Sequence, residues 1–350
     1  MRPLDRRFAL LEFLGELFRD ISSEVPDKYP RQAQQLQDQL KTISHLNPWF
    51  TSDSVYLAIS NWGQSLTSNS ILSWASGYDL PGDFVIPKTV MVIMAGNIPM
   101  VGFHDFLCTI LSGHRFVGKL SSRDRILFPM VIEWILEFDQ DWKTFLQFAT
   151  SIPPDPEIII ATGSNNTSRL ISQRFAGRSM IVRHNRNSIG LLSGEESESE
   201  LENLADDILL YYGLGCRNVS MILLPVGFEL STLTRIIERT DMILPSPFEN
   251  NLKYQRAKAG MHDIPFTDAG KILFINKNEL NSPLGIIHFS YYKNPFEAEL
   301  FRTENSNQIQ LTVGNPAVWK NVIPFGNSQK PGLSDYADGV DTLEFLINMS

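Results

Sequence analysis

Leu10, Leu11, Leu14 and Phe18 recur at the spacing of one helix face, with Glu12, Glu16 and Arg19 between them. That spacing predicts an amphipathic helix over residues 1–20. A Gln-rich polar helix is predicted at 31–42, followed by segments centred on Trp49, Trp62 and Trp74, so residues 1–80 read as a helical N-terminal region. Gly77 and the Leu80-Pro81-Gly82-Asp83 cluster mark its boundary. Beyond it, short apolar runs alternate with helical stretches. Strands are predicted at 89–95, 115–120 and 157–164, and helices at 103–113, at 126–138 despite Pro129, and at 166–175. Alternation of this kind implies a parallel, doubly wound sheet with ligands at the carboxyl ends of its strands. Those ends are Ala95–Pro99 and Ala161–Asn166.

A second alternating unit begins near Ser188. It opens with a strand at 189–192, continues through an acidic stretch, Glu195 to Asp207, that reads as a solvated face, and enters a helix running through Tyr212. Further strands are predicted at 271–275, 284–291 and 309–314.

Composition narrows the function. With 30 Lys plus Arg against 39 Asp plus Glu, the net charge of -9 argues against general nucleic-acid binding, which needs clustered cations on phosphates. No stretch reaches the roughly 18 uninterrupted apolar residues of a membrane span. Charges interrupt the N-terminal apolar residues, so no secretory signal is expected, and the two cysteines make no disulfide framework. A cytoplasmic location is expected. His45, His104, His114, His184, His262 and His288 show no metal-binding spacing, and no metal is expected. The serine-hydrolase elbow, the Walker phosphate loop and the Rossmann glycine fingerprint are absent.

Two features carry chemistry. Thr162–Thr167, TGSNNT, follows a buried strand and opens a helix, which suits an anion but is also ordinary N-cap chemistry. Cys108 lies on an apolar helix face and is expected in the core. Cys216 follows Gly213 and Gly215 and precedes Arg217, so both a buried filler and an activated nucleophile fit it.

The order of motifs resembles the aldehyde dehydrogenase superfamily, and within it the LuxC-like acyl-CoA reductases. AGNIP (95–99), VGKLSS (117–122), ATGS (161–164), GLGCRN (213–218), NELNSPLGII (278–287) and IPFGNSQKPGLSD (323–335) resemble successive family landmarks over residues 85 to 335. The resemblance implies an aldehyde dehydrogenase-like α/β fold, with two doubly wound α/β domains behind the helical N-terminal region. Residues 81–187 with 326–350 would bind the dinucleotide, and 188–325 would form the catalytic domain. Cys216 would attack the acyl carbonyl, and Asn97 with the Cys216 backbone N–H would hold the oxyanion. Lys119 would bind the adenosine ribose, Gly163 and Ser164 would lie by the phosphates, and Glu279 would hold the nicotinamide ribose.

Departures from the family sharpen this reading. The family's catalytic glutamate segment reads RHNRNS here (183–188), leaving Arg183 or His184 near that place and no carboxylate. Thioester reduction needs no water-activating base, so the implied activity is acyl-CoA reduction to a fatty aldehyde rather than aldehyde oxidation. His184 is open to a proton-transfer or a structural role. Ser122 replaces the glutamate that faces the ribose 2'-hydroxyl in NAD-preferring members, and Arg123 or Arg125 is available to a 2'-phosphate, which favours NADPH over NADH. The substrate would be an acyl-CoA or acyl-carrier thioester. An acyl-activating partner enzyme and a homo-oligomer are both compatible with the resemblance. The alternatives are an acyl carrier or acyltransferase component acylated on Cys216 without reduction, and a noncatalytic scaffold.

Overall fold

In the computed structural model, Leu10, Leu11, Leu14 and Phe18 are completely buried on helix α1 (Leu4–Ile21). The structure describes residues 3–82, 86–153, 155–163 and 165–349. It comprises two compact units, Met1–His184 with Pro331–Ser350, and Asn185–Lys330.

In the first unit α1 is followed by α2 (Pro30–Leu46), α3 (Ser52–Ser65) and α4 (Ser68–Ala75). Thr51 and Thr67 start the last two by accepting the backbone N–H of Ser54 and Ser70, satisfying helix-end donors that have no intrahelical partner. Then come β1 (Thr89–Ile93), α5 (Phe103–Leu111), β2 (Arg115–Lys119), α6 (Leu127–Phe138), β3 (Leu146–Phe148), β4 (Ile158–Ala161), α7 (Asn165–Arg174) and β5 (Ser179–Val182). Among the described residues the five strands pair in parallel in the order β3-β2-β1-β4-β5. The chain winds outward from β1 to β3 and then returns to β4, so the winding direction reverses between β1 and β4. Such a reversal is where open α/β sheets bind ligands, in the crevice beyond the strand ends, here Ile93 and Ala161.

Pro129 is tolerated because it occupies the first turn of α6, where a backbone N–H has no acceptor inside the helix. β3 and β5 escape the hydrophobic pattern because they are the sheet edges and are only partly buried. One face of the sheet packs Met91, Ile93 and Ile159 on Ile171 and Phe175. Phe106 of α5, Phe116 of β2 and Phe128 of α6 form a mutually contacting, fully buried aromatic cluster. Each such side chain contributes about 1.5–3 kcal/mol by leaving water.

The second unit contains β6 (Asn187–Leu191), α8 (Glu198–Leu209), β7 (Val219–Pro225), α9 (Leu230–Arg239), α10 (Ser246–Met261), β8 (Thr267–Asp268), β9 (Leu273–Asn276), β10 (Ile286–Tyr292), α11 (Pro295–Glu304) and β11 (Ile309–Gly314). Among the described residues its sheet runs β11-β6-β7-β10-β9-β8, parallel except for β8 against β9. Ile189, Leu191, Met221 and Leu223 form its core with Tyr292 and Trp319. The acidic stretch is not all solvated. Ser197 and Glu200 form a reciprocal cap on α8, and Asp207 at its far end is 1% exposed. The helix also stops at Leu209, short of Tyr212, because Tyr211 and Tyr212 take left-handed φ values of 50° and 58°. The chain then rejoins the first unit, where α12 (Thr342–Ile347) packs on α5.

Candidate active site

In the first unit, the loops that follow β1, β2 and β4 line the crevice end of the sheet. Met94 N–H donates to the Lys119 carbonyl at 3.0 Å, and Thr162 N–H donates to the Ile93 carbonyl at 2.9 Å. Three strand ends are thereby laced together, bringing Asn97, Lys119 and Gly163 to one edge. Gly96 lies against the Ser121 side chain, and a Cβ at position 96 would collide with its hydroxyl. Asn47, buried at the end of α2, donates to the Gly96 carbonyl at 3.1 Å and holds the loop from behind. Asn97 is partly buried, with its Oδ1 out of solvent. Lys119 Nζ donates to the Leu120 carbonyl at 3.1 Å, and Ser122, Arg123 and Arg125 are exposed in the next turn. α7 begins at Asn165, two residues after Gly163, and its positive dipole end sits at the same edge. Ser164 lies outside the described residues.

Asp124, beside these residues in sequence, is buried, and burial pushes its carboxyl up to about 6 against the pull of the Leu127 N–H. Cys108 is fully buried, and burial raises its thiol well above the ordinary range, which makes it a core residue.

Arg183 is not at hand for catalysis. It is buried and makes a bidentate pair with Asp105 at 2.7 and 2.5 Å, and it also donates to Thr342 Oγ1 at 3.0 Å. Burial opposes its charge, and the Asp105 carboxylate more than restores it. His184 is exposed, and its backbone N–H donates to Asp338 at 3.0 Å.

In the second unit Cys216 is exposed, on a turn just ahead of β7. Tyr211, Tyr212 and Gly213 are successive left-handed residues that carry the chain from the end of α8 into this turn. The turn is closed by Asn218 N–H donating to the Gly215 carbonyl at 3.1 Å, and by Gly215 N–H donating to Asn218 Oδ1 at 2.9 Å. Asn218 Nδ2 anchors it to the end of α8, with its shortest bond to the Leu210 carbonyl at 2.6 Å. Ser188 Oγ donates to the Cys216 carbonyl at 2.9 Å, and Arg217 Nε donates to the Ser328 carbonyl at 2.5 Å. The cysteine therefore sits in solvent on a backbone held from both sides.

Glu279 is on a loop tied to the same strand, since Ser220 of β7 donates to the neighbouring Leu280 carbonyl at 3.2 Å. Its own carbonyl is bonded to His288 Nδ1 at 2.9 Å, and its exposed carboxylate pairs with Lys277 at 2.8 Å. A cavity of about 200 Å³ opens between these loops, bounded by Gly213, Gly215, Asn218, Ser220, Leu284 and Ile286 among others.

The structure thus groups Asn97, Lys119, Ser122 and Gly163 in the first unit, and links the loops of Cys216 and Glu279 in the second. Sequence reasoning missed Ser188, Asn218, Asp207 and Ser328. Asn218 stands two residues after the cysteine, where its turn-forming side chain is a usable signal, but nothing local marks Asp207. Among the described residues no group of three or more His, Cys, Asp or Glu side chains could hold a metal ion, and no helix is long and apolar enough to cross a membrane.

Residues 83–231 match the family described as acyl-CoA reductase (LuxC). This match covers the strand-end loops and the cysteine turn, while the landmarks at 278–287 and 323–335 lie beyond it. No curated protein matches the chain. Among solved structures, a bifunctional proline utilization A protein superposes with a TM-score of 0.65 at 14% identity, over 89% of this chain and 36% of that one. The chain therefore spans about a third of that protein's length. A Mycobacterium tuberculosis aldehyde dehydrogenase complexed with NAD+ gives 0.59 at 12% identity, over 89% of this chain and 73% of that one. Aldehyde dehydrogenase 21 from Physcomitrella patens, in complex with succinate, gives 0.61 at 10% identity, over 98% and 88%. The fold is that of the aldehyde dehydrogenases.

Proposed function

From a chain that matches the acyl-CoA reductase (LuxC) family over residues 83–231 and has the aldehyde dehydrogenase fold, we propose an NADPH-dependent acyl-thioester reductase that releases a fatty aldehyde. The observation that carries this reading is Cys216, a solvent-exposed thiol on a turn whose backbone is fixed on both sides.

A dinucleotide suits the first unit. The crevice lies at the switch point of a parallel sheet, Gly96 lets its loop pack closely on Ser121, and the α7 N-terminus favours phosphate. The Mycobacterium tuberculosis relative of the same fold holds NAD+. Lys119, Gly163 and Ser164 would hold the adenosine ribose and phosphates, and Glu279 the nicotinamide ribose. With Ser122 in place of a carboxylate and Arg123 and Arg125 exposed nearby, a 2'-phosphate meets attraction rather than repulsion. When bound, the dinucleotide supplies the hydride for reduction.

The residues do the rest. The Cys216 thiolate attacks the thioester carbonyl of an acyl-CoA or acyl-carrier substrate. The Asn97 amide and the Cys216 N–H stabilise the oxyanion, and the donor thiol leaves, so the acyl group is held as a thioester on Cys216. Once the acyl carbon is reduced, the resulting thiohemiacetal collapses to the aldehyde and regenerates Cys216. Segment 183–188 offers no carboxylate to activate water, and its Arg183 is committed to Asp105, which favours reduction over hydrolysis of the acyl-enzyme.

Incubating the full chain with labelled acyl-CoA, with and without NADPH, tests this reading. Label is expected on the wild type, absent from Cys216→Ala, and discharged as aldehyde when NADPH is added. Label persisting on Cys216→Ala, or never forming on the wild type, overturns the covalent mechanism. Label that NADPH does not discharge converts the reading to an acyl-transfer component.

A further inference from the structure

Asp207 is the last acidic residue of α8, and its carboxylate is buried. It does not form the solvated face expected of an acidic helix. One carboxylate oxygen accepts the Gly326 N–H at 2.7 Å, and the other accepts the Ser328 N–H at 2.9 Å. Burying a carboxylate is costly unless donors meet it, so these two bonds fix where segment 326–328 can lie. The carbonyl of Ser328, on the same segment, is the acceptor of Arg217 Nε at 2.5 Å. A second route leaves the Asp207 backbone, whose carbonyl accepts Asn218 Nδ2 at 3.3 Å, and Asn218 closes the turn around Cys216. Arg217 and Asn218, the two residues that follow Cys216, are thereby both tied to residue 207, the first through its carboxylate and the second through its backbone carbonyl.

We propose that Asp207 is a positioning residue for Cys216: by holding segment 326–328 with its carboxylate it keeps Arg217 anchored beside the cysteine. Loss of the carboxylate frees the Ser328 carbonyl to move, and the guanidinium no longer favours the thiolate from a fixed position. The proposal rests on the reading of Cys216 as a nucleophile but not on any dinucleotide or acyl donor.

The test is the rate of Cys216 alkylation by iodoacetamide on the folded full chain, without cofactor or substrate. Cys108, fully buried, is distinguished by peptide mapping. Asp207→Asn is expected to slow alkylation of Cys216 by about tenfold, the loss that follows a tenfold fall in the thiolate fraction. Arg217→Gln is expected to slow it similarly, and the double variant to be no slower than either single one, because the two act in series. Additive losses, or a wild-type or faster rate in Asp207→Asn that folds, overturn the proposal. Should Asp207→Asn not fold, Arg217→Gln decides alone, and a wild-type rate there overturns it. If these rates fall as expected while no acyl label forms on the wild type, the reductase reading fails and the positioning role stands.

Discussion

The Ser188 hydroxyl donates to the Cys216 carbonyl at 2.9 Å, tying the start of β6 to the turn that precedes β7. Ser188 is fully buried and pairs in register with Val219, so the bond continues the sheet into the turn. Ser188→Ala removes the donor and is expected to cost about 1 kcal/mol. The check is the urea midpoint at unchanged slope, and an unmoved midpoint rules out an energetic role for this bond.

In the proposed dinucleotide site, Ser122 takes the position at which a carboxylate would face a 2'-phosphate. Ser122→Glu is expected to weaken NADPH binding by about tenfold or more, the Coulomb cost of opposing charges of like sign at a partly hydrated site, while leaving NADH binding nearly unchanged. Titration of both dinucleotides by fluorescence decides it. Equal losses for the two would mean that position 122 does not discriminate.

Arg183→Met leaves the Asp105 carboxylate buried without its cation and is expected to cost about 3–5 kcal/mol. Replacing both partners, in Asp105→Leu with Arg183→Met, is expected to recover much of that loss, because neither charge then remains buried. Denaturation midpoints of the two variants make the comparison. A double variant as unstable as the single one counts against the pair as the source of the effect.

Asp124 titrates at about 6 in the folded protein, above the ordinary 3.8. Between those values the folded state holds a proton that the unfolded state has released, so this residue's contribution to stability falls as pH rises through the window. Asp124→Asn is expected to be more stable than wild type above about pH 7, by up to about 3 kcal/mol, with the gain vanishing below about pH 3.5. Thermal midpoints across that range check the sign.

His114 accepts the Lys88 N–H on Nδ1 at 3.3 Å, so its Nε2 carries the proton donated to the Leu346 carbonyl at 3.0 Å. Burial lowers its pKa below 6.5. Its contribution is therefore complete above pH 6.5 and is lost as pH falls through the depressed value, when Nδ1 ceases to accept. A loss of protection in 342–347 on acidification, measured against the intrinsic exchange rate at each pH, is expected in the wild type and absent in His114→Gln. Equal exchange in both would assign the acid response elsewhere.

Particular residues show what was readable. β1 and β4 were legible because each lies inside the sheet, with neighbours on both sides, and so reads as an apolar run, whereas the interior β2 is apolar only at Phe116 and Val117. β3 and β5, at the edges, lack that signature. Cys108 was legible as core because it sits on a wholly apolar helix face. Arg183 stands in sequence where a catalytic base would be, yet it is spent on Asp105, 78 residues away.

The sequence by itself determined the alternation of strands and helices, the two strand-end loops, and the order of motifs that resembles the acyl-CoA reductases, because periodicity and motif spacing are local properties of the chain. Only the tertiary structure decided that Cys216 is exposed, and that Asp207 is buried against the segment on which Arg217 is anchored. Those outcomes depend on three left-handed residues that redirect the backbone and on a bond between residues 121 apart, relationships that no local pattern encodes.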